Sequence, residues 1–395
     1  MVAGEAAAAS PQTPRLAPAL AAMTGLQALV ALALFAPGVL APKFGISERD
    51  ISLFTTSVFV VGVATSMAGG MLAARLGSLS VAALCALAVA AAMTTAMHGS
   101  SAALIAAGAI LGLAFGPETP ASSALLARLS RPEQRPLIFS IRQTGNQLGA
   151  MLGSLTLPAI AVLAPDAGFA VIALLSVLMC VVFLAMRPRY DTGHTGAAAR
   201  ISLQQSWHLL RAVPALSLLA LVSMPFSAMQ LALNAYFVIL AVDRLALPHV
   251  TAGVLLAVAQ AGGLIGRLLW GMVATRYHSA RAVVAGLGFA MSACAAAVSI
   301  ASPSWPLVAL GALAFVFGLT ASGWNGVFLA EVARLAPEGR VPEATGAVLT
   351  ASYAGLLLGP LLMAGVAQVA SIQQGYAVLA ALALLATVAL RRAPP

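Results

Sequence analysis

The sequence predicts an all-α membrane protein of twelve transmembrane helices, arranged as two six-helix bundles related by a pseudo-two-fold axis along the membrane normal. Three observations carry that expectation. Of the 395 residues, 61% are apolar and only 8% are charged, with a mean hydropathy of +0.99, whereas soluble domains carry about 25% charged residues. The apolar residues fall into runs of roughly twenty, the length at which a helix crosses a hydrocarbon core. Short segments also recur about 200 residues apart in the same order, as two parallel repeats require.

The spans read, in order, 16–41, 50–74, 79–98, 101–127, 136–163, 167–187, 213–241, 250–275, 281–301, 305–333, 343–369 and 375–391. Proline, glycine and charge clusters separate them. The first run is long for a cleaved leader and has only Arg15 near its start, so it reads as a retained helix. The longest polar connection, from Arg187 to Arg211, divides the spans six and six. The domain expectation is therefore a tail at 1–15, a bundle at 16–187, a central loop at 188–212, a second bundle at 213–391 and a short tail at 392–395.

Orientation follows from the cations, which are retained on the cytoplasmic side. With both termini inside, fifteen arginines, from Arg15 through Arg128, Arg131, Arg135 and Arg211 to Arg392, lie in the cytoplasm, against Lys43, Arg49 and Arg244 outside. Reversing the chain or dropping one helix scrambles this asymmetry. The expected setting is the inner membrane, multi-pass, as a monomer in the lipid bilayer.

Several function classes drop out. The net charge of +9 rests on nineteen scattered arginines and the single Lys43, so no basic patch tracks a nucleic acid. Cys85, Cys180 and Cys294 each sit in an apolar run and make neither a disulfide framework nor a zinc site. With one lysine, and no GxxxxGK[ST], HExxH or GxSxG segment, neither an ATP-driven pump nor an enzyme is expected, and no cofactor or metal is implied.

The repeats are specific. GMLAAR (Gly70–Arg75) ends the second span and GMVATR (Gly271–Arg276) ends the eighth; Gly149 and Gly153 in the fifth recur as Gly355 and Gly359 in the eleventh; ARLSRPE from Ala127 answers ARLAPE from Ala333. Twelve spans split six and six, with a Gly-to-Arg turn after the second and the eighth, resemble the major facilitator superfamily of secondary transporters over essentially the whole chain. The resemblance implies alternating access, with Gly70, Arg75, Gly271 and Arg276 as gating or latch positions. The family's turn normally carries an aspartate before the arginine; Ala74 and Thr275 stand there in this chain. The family's drug/proton antiporters carry an arginine in the fourth span and a Gly-Pro signature in the fifth, and both marks are missing. Arg267, four residues before Gly271, is similar to the arginine with which monocarboxylate and oxalate transporters bind the substrate carboxylate. RQTG in the fifth span and GWNGVFLAEVARLAP in the tenth resemble bacterial members of the superfamily.

A charge deep in a bilayer costs about 2.5–3.5 kcal/mol or more, so each needs a partner or an aqueous cavity. Arg142 and Glu118 lie roughly 10 and 15 Å from the ends of their spans at 1.5 Å per residue, within reach of one another. They are either a permanent salt bridge or an anion contact beside a proton-titratable carboxylate. Arg267 shares a face with Gln260 and Gly263, and its planar fork suits a carboxylate; the alternative is an arginine snorkelling to the interface. In the seventh span Ser223, Ser227, Gln230 and Asn234 form one polar stripe around Pro225, where a break in the helix is expected to expose carbonyls. Gln27, Asn146, Asn325 and Tyr353 are further candidates, each also readable as a packing residue. Glycines at four-residue spacing allow close backbone approach, and those of the fifth and eleventh spans read as faces on which the two halves rock.

The expected function is secondary active transport of a small organic anion, a carboxylate, with Arg267, Arg142, Gln260, Gln230, Asn234, Gln27, Asn146, Asn325 and Tyr353 at the site and Glu118 coupling to protons, as in symport. Two arginines against one glutamate in the membrane favour an anion. The alternatives are an exporter of hydrophobic or cationic compounds and a non-transporting membrane sensor.

Overall fold

The computed structural model describes residues 15–44, 47–160, 164, 166–191, 203–277 and 279–392. The elements are α1 (Leu16–Phe44), α2 (Glu48–Leu76), α3 (Ser78–Ala96), α4 (Ser101–Leu129), α5 (Arg135–Ile160), α6 (Ala167–Tyr190), α7 (Leu203–Ala212), α8 (Pro214–Asp243), α9 (His249–Tyr277), α10 (Ala280–Ser299), α11 (Leu307–Ala321), α12 (Asn325–Leu335), α13 (Val341–Val369) and α14 (Ile372–Arg392). Among the described residues, eleven segments are long and apolar enough to cross a membrane, with α11 and α12 counted as one. The remaining long helix, α5, has 26 residues but carries Arg135, Arg142, Gln143, Asn146 and Gln147. Its polarity is spent inside the protein.

Two bundles form by the same three partnerships. In the first, α1 packs on α5, α2 on α4 and α3 on α6; in the second, α8 packs on α13, α9 on α11 and α10 on α14. Lipid tails are as apolar as leucine, so close packing rather than hydrophobicity must hold such helices together. Glycine supplies the proximity: a Cβ at Gly149 would run into the Ala28 carbonyl of α1, and one at Gly355 into the Met224 carbonyl of α8. Both contacts lie inside a bundle. The spacing of Gly149, Gly153, Gly355 and Gly359 thus reports close backbone approach, but the rocking surface assigned to them lies elsewhere. Outward faces carry Leu155, Leu174, Leu178 and Val181, all at least half exposed.

The bundles meet where α2 faces α13 and α5 faces α9 and α12. Gly70 abuts Pro342 and Glu343; Gly346 abuts Ser66, whose hydroxyl donates to the Gly346 carbonyl at 3.0 Å. Gly271 and Gly326 both press on Ser140. These contacts lie in the halves of the helices nearest the termini, so that end of the molecule is drawn shut. Gly70 and Gly271, two of the four positions expected to act as a latch, sit at this seam, whereas Arg276 is exposed and Arg75 partly buried.

Thr275, which stands where the family's turn carries aspartate, has a role there. Its hydroxyl accepts the Leu137 N–H at 3.2 Å. Leu137 lies in the first turn of α5, where helix geometry leaves backbone donors without intrahelical acceptors, so Thr275 acts as a cap supplied by the other bundle. Such a cap contributes about 1 kcal/mol. Thr275→Val, which keeps the shape and deletes the acceptor, is expected to shift the closed-to-open ratio about fivefold. Spin labels at Arg187 and Arg391, on the terminal ends of α6 and α14, would then show a longer second distance population; an unchanged distribution removes the latch role.

Three local features depart from the sequence reading. The central segment is not wholly loop: α7 occupies part of it, burying Leu209 and Leu210, while 192–202 lie outside the described residues. The helix carrying Pro225 runs unbroken from Pro214 to Asp243, because a proline within a bundle finds neighbours that absorb its lost hydrogen bond. The break falls in the tenth span instead, where Ser322, Gly323 and Trp324 separate α11 from α12. Serine and glycine there terminate one helix, and Asn325 begins the next in the middle of the span.

Candidate functional site

A chamber of about 100 Å³ lies between the bundles. The first bundle lines it with Gln27 of α1, Phe115, Glu118 and Thr119 of α4, and Gln143 and Asn146 of α5. The second contributes Ser227 and Gln230 of α8, Arg267 of α9, Asn325 of α12, and Ser352 and Tyr353 of α13. Of the expected site residues, Arg267, Gln230, Gln27, Asn146, Asn325, Tyr353 and Glu118 meet here. Gln260 and Asn234 do not line it: Gln260 Nε2 donates to Asn234 Oδ1 at 2.6 Å, towards the end away from the termini, and Gln147 Nε2 donates to Gln260 Oε1 at 3.4 Å.

Arg142 stands behind the wall. It is ion-paired with Glu118 and donates to the Thr119 and Ser122 hydroxyls, each at 3.2 Å. Thr119 in turn donates to Glu118 Oε2 at 2.9 Å. Both charged side chains are at most 4% exposed. A buried pair with this many supporting hydrogen bonds meets the geometry that lets Coulomb attraction offset desolvation, and it leaves α4 and α5 joined with no net charge.

Arg267 is different. It is 1% exposed, and its Nη1 donates to the Gln143 carbonyl across the bundle boundary at 3.0 Å. Its Nε and Nη2 have no protein partner, and no acid among the described residues pairs with it. The chamber wall therefore carries one positive charge in excess, with two guanidinium donors unsatisfied. Amides surround it: Gln27 Nε2 donates to Gln143 Oε1 at 2.5 Å, and Asn325 Nδ2 donates to Gln230 Oε1 at 3.0 Å. Tyr353 donates its hydroxyl to the Phe115 carbonyl at 3.3 Å and packs against that ring at a 48° tilt, with centroids 4.9 Å apart, so it ties the bundles together at the chamber wall.

Sequence reasoning missed Gln143, Thr119 and Ser352. Gln143 follows Arg142 directly and reads as a neighbour on another face, but it is the residue that holds both Arg267 and Gln27. The signal was available in the run RQTGNQ, where four of six residues have charged or amide side chains within an apolar span. Glu331 pairs with Arg334 three residues on through two 2.8 Å hydrogen bonds near the end of α12.

The sequence model of the Major Facilitator Superfamily matches residues 19–340. Among solved structures, the chain is similar to the human organic anion transporter MFSD10 (TETRAN), with a TM-score of 0.77 and 19% identity over 96% of this chain and 100% of that one. It is similar also to the E. coli fucose:proton symporter FucP, with a TM-score of 0.77 and 15% identity over 97% of this chain and 100% of that one. A bacterial homologue of the iron transporter ferroportin, in an outward-facing state, gives a TM-score of 0.76 and 17% identity over 96% of this chain and 99% of that one. At these identities the likeness speaks for the fold. A comparison with curated protein sequences finds no match.

Proposed function

The chain belongs to the major facilitator superfamily, and on that premise we propose that it is a secondary active transporter of a small organic anion, a carboxylate, working by alternating access. One observation carries the substrate class: Arg267 faces the chamber with Nε and Nη2 unpartnered and with no acid among the described residues ion-paired to it. A guanidinium fork matches a carboxylate with two parallel hydrogen bonds. A cation entering the same space would meet a wall of net positive charge, since Glu118 is already engaged by Arg142. The structural neighbours do not choose among substrates, because their titles name an organic anion, fucose and iron.

The twelve-helix, two-fold arrangement is the frame for this mechanism. The recurring helix partnerships support it, and so does α5, which is polar where it faces the other bundle. The positive-inside asymmetry supports cytoplasmic termini and an inner-membrane setting. In that frame the described state is shut towards the cytoplasm. Gly70, Gly271, Gly326 and Gly346 form the seam that parts when the chamber opens inward. Protons enter through Glu118: when it takes one, the charge that holds Arg142 behind the chamber wall is lost, and the tie between α4 and α5 loosens.

The test is a panel. Purified protein heated with small carboxylates, sugars and organic cations is expected to gain apparent stability only with carboxylates, because a ligand that binds the folded state raises it by mass action. Stabilisation by a sugar or a cation, with none from any carboxylate, overturns the reading.

A further inference from the structure

Besides the two nitrogens of Arg267, the chamber holds two buried polar atoms without a protein partner: Gln27 Oε1 on α1 and Ser352 Oγ on α13. Gln27 is not loose. Its Nε2 is held by Gln143 Oε1, and the carbonyl of the same Gln143 holds Arg267 Nη1. One residue therefore fixes the free atoms of Gln27 and of Arg267 around one small space, from opposite bundles. Ser352, beside Tyr353, adds a hydroxyl from a third direction. Buried polar atoms need partners, so the molecule that fills this chamber has a carboxylate for Arg267 and a second polar group for Gln27 and Ser352.

Resting on the carboxylate reading, we propose that the substrate is a small hydroxy monocarboxylate, its carboxylate on Arg267 and its hydroxyl between Gln27 and Ser352. A hydroxyl both donates and accepts, so it can donate to Gln27 Oε1 and accept from Ser352, and it suits either orientation of the Gln27 amide. A keto oxygen accepts only and leaves Gln27 Oε1 unmet. An ammonium donates only, and adds a positive charge to a chamber that already has one in excess. A second carboxylate finds no second cation, because among the described residues Arg267 alone of the arginines lines the chamber and Arg142 stands behind its wall. Size agrees: about 100 Å³ is well below the roughly 300–1,000 Å³ of pockets for drug-sized ligands and suits a substrate of a few carbons.

The experiment is counterflow in proteoliposomes with propionate, pyruvate, 2-hydroxypropionate, 3-hydroxypropionate, alanine and malonate, on the parent, Gln27→Met, Ser352→Ala and Arg267→Ala. A site with a waiting hydrogen-bond partner rejects the analogue that lacks the group. In the parent, at least one hydroxypropionate is expected to half-saturate at about tenfold lower concentration than propionate, the size of one buried hydrogen bond. In Gln27→Met that ratio is expected to fall to about twofold or less; should Gln27→Met fail to fold, Ser352→Ala reads the same hydroxyl from the other bundle. Equal handling of propionate and both hydroxypropionates by the parent, or a ratio undiminished in the folded variants, overturns the hydroxy-acid proposal. If uptake in that case still depends on Arg267, the carboxylate reading survives. If no acid is taken up, or Arg267→Ala is indifferent, both fall together.

Discussion

Arg267→Ala is expected to lower anion uptake in proteoliposomes by about a hundredfold or more, since charge-assisted hydrogen bonds contribute about 1.5–3 kcal/mol each and two are lost. The protein is expected to stay folded. Arg267 has no buried acid to leave behind, and its one protein bond is to the Gln143 carbonyl, which polar chamber neighbours can satisfy. Arg267→Lys separates charge from geometry: a lysine keeps the charge but loses the planar fork, so its uptake should fall between that of the parent and that of Arg267→Ala. Should Arg267→Ala carry every tested carboxylate as well as the parent does, the anion assignment is lost, whatever the fold.

Removing either member of the Glu118–Arg142 pair is expected to act on folding as much as on transport. Glu118→Ala leaves a guanidinium in the membrane interior without its counter-charge, at a cost of about 3–5 kcal/mol for a broken buried pair. Arg142→Ala leaves the carboxylate alone. The double variant Glu118→Gln/Arg142→Gln removes both charges and keeps four hydrogen-bonding amide atoms, so its thermal stability is expected to recover most of what either single loss forfeits. A stability loss in the double variant equal to the sum of the losses in Glu118→Gln and Arg142→Gln alone would mean the pair contributes no coupling energy. The same double variant decides the proton role. If its uptake is indifferent to an inward proton gradient while the parent's rises with one, Glu118 couples; if both respond alike, the pair is structural only.

How much of this was legible before the structure depends on the kind of signal. A charge in an apolar run stands out, so Arg267, Glu118 and Arg142 are visible from composition and depth alone, and so is the likelihood of contact between two charges on neighbouring helices. Helical periodicity says which residues share a face but not which neighbour that face meets. That is why Gly149 and Gly355 were placed on the boundary between bundles, when they lie inside them, and why Gln260 and Asn234 were placed in the chamber, when they bond each other outside it. The break at Ser322–Trp324 left no mark in hydropathy, because both flanking helices are apolar, whereas Pro225 attracted attention by residue type alone. The latch at Thr275 could be located from the GMVATR repeat, but its partner, a backbone N–H of α5, has no sequence signature.

The break between α11 and α12 has a mechanical consequence. Asn325, which touches the chamber, and Gly326, which presses on Ser140 at the seam, are consecutive residues. Their Cα atoms are separated by about 3.8 Å, one peptide unit. On α9, Arg267 in the chamber and Gly271 on the same Ser140 are four residues apart, about 6 Å along a helix. In the proposed alternating access, filling the chamber and parting the seam would act on the same short pieces of backbone. A signal that travels one peptide bond or one helical turn needs no relay of side chains across the protein, and the interruption before α12 falls directly beside it.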